Sequence, residues 1–175
     1  MRTMGRALFL LLVIAFVAGV WDARYGREGT PARSGRPFGT ELVERDRLTR
    51  PAPELVSVAT AERDGYDRVL FTFEGSLPGY QVRYLPRVTD AGGRRLALRG
   101  QAFLEVAFQP ARARGPDGRP TFSTGTLSPG SAALRQVRFA GDFEGQVRFG
   151  LGVAARGGFR VSELRNPTRV AVDVR

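Results

Sequence analysis

From residue 65 onward, apolar and polar positions alternate one for one in segment after segment. In the stretch GYDRVLFTFEG, Val69, Phe71 and Phe73 point one way while Arg68, Thr72 and Glu74 point the other. Leu104, Val106 and Phe108 alternate with Phe103, Glu105 and Ala107. Val147, Phe149, Leu151 and Val153 alternate with Gln146, Arg148, Gly150 and Gly152, and Val170, Val172 and Val174 with Arg169, Ala171, Asp173 and Arg175. Side chains of an extended strand face alternate sides, so each segment predicts a strand with one buried and one wet face. Gly- and Pro-rich punctuation separates them at 75–80, 90–95, 114–120, 127–131, 139–145 and 155–159, where glycine supplies positive φ and proline presets a turn. The fold class expected is all-β: a β-sandwich or small barrel of mainly antiparallel strands, with GYDRVLFTFEG as its first long strand and the 169–174 segment as its last. Ala111 to Gly125 reads as a long loop. Two short helical stretches are expected, one over Thr40 to Arg50 with Thr40 as cap, and one turn where Ser128 caps and Pro129 takes the first position.

Ahead of this pattern the chain changes character twice. Arg2 and Arg6 precede Ala7 to Trp21, 15 residues without a charge, a basic stretch followed by an apolar one that marks export. A membrane-spanning helix needs about 20 apolar residues, which favours a cleaved signal. The small residues Val17-Ala18-Gly19 make a poor cleavage site, however, and Trp21 suits an interfacial anchor. Signal peptide and short membrane anchor both stay open for 1–21, and either puts the remainder outside the cytoplasmic membrane. Residues 22–53 are dense in Gly, Pro, Arg and acids, a composition that reads as a flexible tether. The β domain is then expected over 54–175.

Composition narrows the chemistry. The 175 residues contain no Cys, no His and no Lys, so all 27 basic residues are Arg. Thiolate and imidazole nucleophiles, Schiff-base lysines and the usual Cys/His zinc sites are thereby excluded, and no cofactor or metal is expected. From residue 65 to 175 there are 17 Arg against 9 acids, so the domain is basic in its own right. Export and the lack of an aromatic-basic motif argue against nucleic acid. The anionic partners available outside the membrane are wall polymers and lipid head groups, which Arg meets through bidentate contacts. A membrane contact is expected only through the N-terminal segment, if it is uncleaved.

Three separated stretches, DGYDRVLFTFEGSLPGYQVRYLP, LRGQAFLEVAFQPA and LRQVRFAGDFEGQVRFGLGVAARGGFRVSELRNPTRVAVDV, resemble in order the AMIN-like domain of actinobacterial exported proteins and lipoproteins, over about Leu55 to Val174. The resemblance implies an all-β domain distantly similar to the AMIN domain that positions cell-wall amidases by binding peptidoglycan, and it implies no established enzymatic activity. Lipoprotein-like members carry a Cys after the apolar stretch. This chain has none, so lipid anchoring is unsupported.

Candidate ligand-binding residues are Arg68, Tyr80, Arg83, Tyr84, Arg148 and Arg169. Tyr80 and Tyr84, on one face with Val82 between them, would stack on sugar or peptide, or else form a half-buried part of the core. Asp67 and Arg68 form part of a ligand site or pair with neighbours across the sheet. The Arg-Val step recurs at 169–170, which makes such charges register markers. Asp142 and Glu144 are the nearest approach to a glycosidase carboxylate pair, but they sit in a Gly-bounded turn where nothing raises a pKa. The glycines at 150–152 and 156–158 lack the strand-loop-helix setting of a phosphate loop and read as close-packing positions. The function expected is a non-catalytic envelope module that binds peptidoglycan or an anionic wall glycan. The alternatives are a protein-interaction or structural subunit of an envelope complex and, third, a carboxylate-only hydrolase.

Overall fold

The computed structural model describes residues 37–175, and the export segment with the start of the tether lies outside them. Nine strands form two sheets: β1 (Val43–Arg45), β2 (Glu54–Arg63), β3 (Tyr66–Glu74), β4 (Gly79–Leu85), β5 (Ala102–Gln109), β6 (Leu134–Phe143), β7 (Gln146–Val153), β8 (Phe159–Leu164) and β9 (Arg169–Val174). One sheet runs β1-β4-β5-β7-β6 and the other β2-β3-β9-β8, with every ladder antiparallel. Of the two architectures expected, the sandwich is the one that forms. Among the described residues there is no helix, and hence none long and apolar enough to cross a membrane.

The alternation predicts the core correctly. Val69, Phe71 and Phe73 of β3 and the valines of β9 face Leu104, Val106 and Phe108 of β5 and the apolar row of β7 across the sandwich. Phe71 meets Phe108 at 4.9 Å and Phe149 at 5.0 Å between ring centroids, and Phe73 meets Phe108 edge-on at 5.0 Å. Such tilted and edge-on contacts suit the ring quadrupole and add about 0.5–1.5 kcal/mol each beyond burial.

Several expectations are corrected. The segment expected to be helical from Thr40 contains β1, which pairs with β4 at Val43–Val82, so the stretch assigned to the tether already contributes a strand. The strand of GYDRVLFTFEG is not the first long one: β2 precedes it, and β3 and β9 pair at the centre of their sheet rather than at an edge. Residues 139–143, expected in a turn, belong to β6. A bulge between Phe139 and Gly141 absorbs the irregularity, and only Glu144 (φ 51°) and Gly145 (φ 73°) make the two-residue hairpin. No helical turn forms at Ser128. Instead the Ser131 hydroxyl donates to the Leu134 carbonyl at the start of β6.

The outer face of the five-stranded sheet is not wet throughout. The connection between β4 and β5 folds over it, and Val88 and Leu96 form a second small core with Ala140, flanked by Leu98 and Phe103. Glycines make room for this cover. A Cβ on Gly150 would stand 2.8 Å from Leu98 and 2.9 Å from Leu96, and one on Gly152 would collide with the Arg99 carbonyl. The close-packing reading of these glycines holds.

Both open sides of the sandwich are laced. On one, Glu163 of β8 accepts from Arg47 at 2.9 Å and from the Tyr80 hydroxyl at 3.2 Å. On the other, the β5–β6 connection bonds to the start of β2, where Leu55 N–H donates to the Arg112 carbonyl and Arg112 pairs with Glu54. Asp67 adds a third link. It shares the inward parity of Val69, is 3% exposed, and its Oδ2 accepts from the amides of Ala133 and Leu134, each at 2.8 Å.

Asp67→Ala leaves two amides, one fully buried, without an acceptor and is expected to lower unfolding free energy by about 3 kcal/mol. Asp67→Asn keeps an acceptor and should lose less than half of that, as read from urea melts of the full-length chain. Gly152→Ala is expected to cost about 1–3 kcal/mol because the added methyl meets backbone, which cannot rotate away.

Candidate ligand-binding end of the sandwich

The six candidate residues do not converge. Tyr80 and Tyr84 face inward, as the half-buried reading had it. The Tyr84 hydroxyl donates to the Gly157 carbonyl at 2.8 Å, and its ring packs edge-on against Phe159. Burial pushes the phenol of Tyr80 above its ordinary range, and the neighbouring Glu163 carboxylate pushes it further. Burial likewise raises Tyr84, against the opposing pull of its bond to Gly157 and of the Arg156 charge.

Arg83 and Arg148 meet on the outer face of the five-stranded sheet, where Glu105 bridges them at 3.1 and 3.4 Å. Arg68 lies on the outer face of the other sheet. Its Nε and Nη2 clasp Asp173 of β9 at 2.6 and 3.1 Å, and Arg160 of β8 takes the same carboxylate at 2.8 Å. Asp67 and Arg68 thus do different jobs on opposite faces, and only Arg68 pairs across the strands. Arg169 stands at the far end of β9 beside Thr72 and Leu164. Its Nε and Nη2 are shut off from solvent, with no hydrogen-bond partner among the described residues, so no ligand reaches them in this conformation. Of the acids considered for hydrolysis, Asp142 accepts from the Ala113 amide at 2.8 Å and serves the loop.

A pattern runs through these contacts: Glu105, Asp173 and Glu163 each hold two arginines. A carboxylate shared in this way neutralises only one of its partners, so each cluster keeps a net positive charge.

The concave surface lies elsewhere, at the end of the sandwich where β3, β5, β6 and β8 begin and β2, β7 and β9 finish. Two cavities adjoin there at Ala154. One, of about 390 Å³, is lined by the β2–β3 turn with Arg63, Tyr66 and Asp67, by Ala132 and Ala133, and by Arg175. The other, of about 330 Å³, is lined by Arg99, Gln101, Gly130 and Arg135. Both volumes fall in the range of about 300–1,000 Å³ common for ligand pockets. Beside them the chain comes in at Phe38 and Gly39. Gly39 exchanges backbone hydrogen bonds with Phe159, and the Phe38 ring lies under the guanidinium groups of Arg160 and Arg175, each 4.4 Å from its centroid.

Of the candidates read from sequence, Tyr84 and Arg68 lie near this end, Tyr84 holding the loop at Gly157 and Arg68 touching the Tyr66 hydroxyl at 3.4 Å. Tyr66, Arg63, Arg99, Arg135 and Arg175 were missed. The available signal was the pair of alanine doublets, Ala132-Ala133 and Ala154-Ala155, which break the alternation just outside two strands and are each followed within two residues by Arg.

A family model described as the AMIN-like domain matches residues 53–175, more than half of the chain. The chain belongs to the AMIN-like domain family. Membership suggests a non-catalytic module associated with the cell wall, in an extracytoplasmic setting. No curated protein and no solved structure matches this AMIN-like chain.

The two raised phenols set an alkaline limit. A tyrosine favoured in its protonated form contributes stability that is fully present below the ordinary phenol pKa of about 10 and is lost as pH rises through the folded value. Ultraviolet titration of the folded AMIN-like domain should show Tyr80 and Tyr84 ionising late, together with unfolding. Tyr80→Phe and Tyr84→Phe should each remove one late-titrating group.

Proposed function

We propose that this AMIN-like domain is an exported, non-catalytic envelope module that docks to cell-wall polymer, either peptidoglycan or an anionic wall glycan, through the end of the sandwich around Ala154. The observation that carries the reading is the pair of adjoining cavities with arginines on both sides, on a domain whose family is associated with the wall. Arginine forks are suited to carboxylate and phosphate groups. The paired clusters on the two sheet faces leave the whole domain positive and so favour approach to an anionic matrix. The tract at 1–21 supports export, with the module either released or held at the cytoplasmic membrane.

Assembly through a sheet edge, the protein-interaction reading, has less support. β2, β6 and β8 each carry a bridge to an irregular segment, at Arg112, Leu127 and Gly39 respectively, and β1 has only three residues. Such covering blunts the open edge that strand addition needs.

Sedimentation with insoluble peptidoglycan tests the proposal. The full-length chain should pellet with the polymer at low salt and be partly released at raised salt, because exposed charges are screened. Recovery in the supernatant at both salt concentrations would refute wall binding.

A further inference from the structure

The two cavities that meet at Ala154 differ in chemistry. The smaller offers two guanidinium groups, Arg99 and Arg135, with Gln101 beside them and no acid. The larger has a floor of methyl groups from Ala132, Ala133, Ala154 and Ala155, with Arg63 and Arg175 against the exposed Glu62, while the buried Asp67 is committed to the amides of Ala133 and Leu134. We infer that the joined cleft takes an extended peptide with small apolar side chains and a free carboxylate. The carboxylate lies between Arg99 and Arg135, and the peptide backbone runs across the alanine floor past Tyr66. This rests on the wall-binding reading for the source of the ligand and deepens it, assigning the contact to a peptide portion of the polymer rather than to sugar or phosphate.

Three observations favour peptide. Sugar rings are held by stacking on aromatic faces, and the rings at this end already carry guanidinium groups: Arg160 and Arg175 over Phe38, Arg160 over Tyr66 at 4.9 Å, and Arg156 over Tyr84 at 4.8 Å. A chain of phosphates would place negative charge against Glu62 in the larger cavity, whereas the backbone amides of a peptide find an acceptor there. The alanine floor is apolar, and its methyl groups suit small apolar side chains.

Asp67 also fixes the floor. Its Oδ2 holds the amides of Ala133 and Leu134, and the Ala154 amide donates to the Ala133 carbonyl at 2.8 Å. The two alanine doublets are therefore tied to each other and to β3 before any ligand arrives, which lowers the ordering cost of binding.

Calorimetric titration of the full-length chain tests the inference with four probes: N-acetyl-Ala-Ala-Ala with a free carboxylate, its neutral analogue N-acetyl-Ala-Ala-Ala-amide, an N-acetylglucosamine tetramer and inorganic tripolyphosphate. The acidic peptide should bind, and the neutral one should bind at least about tenfold more weakly through loss of charge-assisted hydrogen bonds. Arg99→Ala and Arg135→Ala should each weaken the acidic peptide by about tenfold. Ala154→Leu, which fills the junction without changing charge, should abolish its binding, and Arg119→Ala, on the remote 114–120 loop, should leave it unchanged. Circular dichroism checks that each variant is folded. Tetramer or tripolyphosphate binding as tight as that of the acidic peptide overturns the inference, as does acidic-peptide affinity indifferent to Arg99, Arg135 and Ala154. A chain that pellets with peptidoglycan while ignoring the peptide sinks this inference and leaves wall binding intact. Peptide binding without pelleting does the reverse.

Discussion

Two neighbouring residues at the start of β3 hold the sandwich together at the end that carries the two cavities. Because successive side chains on a strand face opposite ways, Asp67 points between the sheets and Arg68 points away from them. Asp67 accepts two amides from the chain entering β6, so a single carboxylate joins the sheets where the apolar core stops. Arg68 ties β3 to β9 through Asp173, and Arg160 extends the tie to β8. Buried ion pairs gain little overall against desolvation but are costly to break singly. Their value here lies in fixing which residues face each other: Arg68 stands opposite Asp173 and Asp173 opposite Arg160. A shift of one residue would turn every valine of β9 outward.

The cover over the five-stranded sheet follows from a similar economy of space. Gly150 and Gly152 weaken β7 by having no side chain to pack, yet the gap they leave admits Val88, Leu96, Leu98 and the Arg99 backbone. That cover brings Arg99 to the end of the sheet, where it lines a cavity with Arg135. Close packing on one face thus places a charged residue at the rim of the cleft.

Much of the fold was legible in the sequence because β3, β5, β7 and β9 each bury one clean apolar row, and burial imposes the period that the sequence displays. β2 escaped notice because the small residues of VSVATA are only partly buried on either face, which blurs the alternation. The sequence around β1 reads as helix because VER contains one half-buried side chain, and its extended form depends on pairing with β4, more than thirty residues away. The candidate site was the least legible part. Its residues come from five separate segments between Glu62 and Arg175, so no local motif announces it. The tyrosines that drew attention proved to seal the core and hold a loop. The arginine count was informative only in aggregate, since carboxylates shared by two guanidinium groups determine which cations are engaged, and those partnerships arise across strands.

The chain joins the fold at Phe38 and Gly39, on the same end that carries the cleft. A module held through the residues before Phe38 while its cleft grips an immobile polymer would bear mechanical load between two points on one end of the sandwich. Tension would run through the Phe38 stack, the Gly39–Phe159 hydrogen bonds and the Arg160–Asp173–Arg68 bridge, without crossing the phenylalanine core. The first contacts to yield would be the Phe38 ring against its two guanidinium groups and the two Gly39–Phe159 backbone hydrogen bonds, which can re-form. Under such pulling the phenylalanine core would be spared, with the strap at Phe38 acting as its fuse.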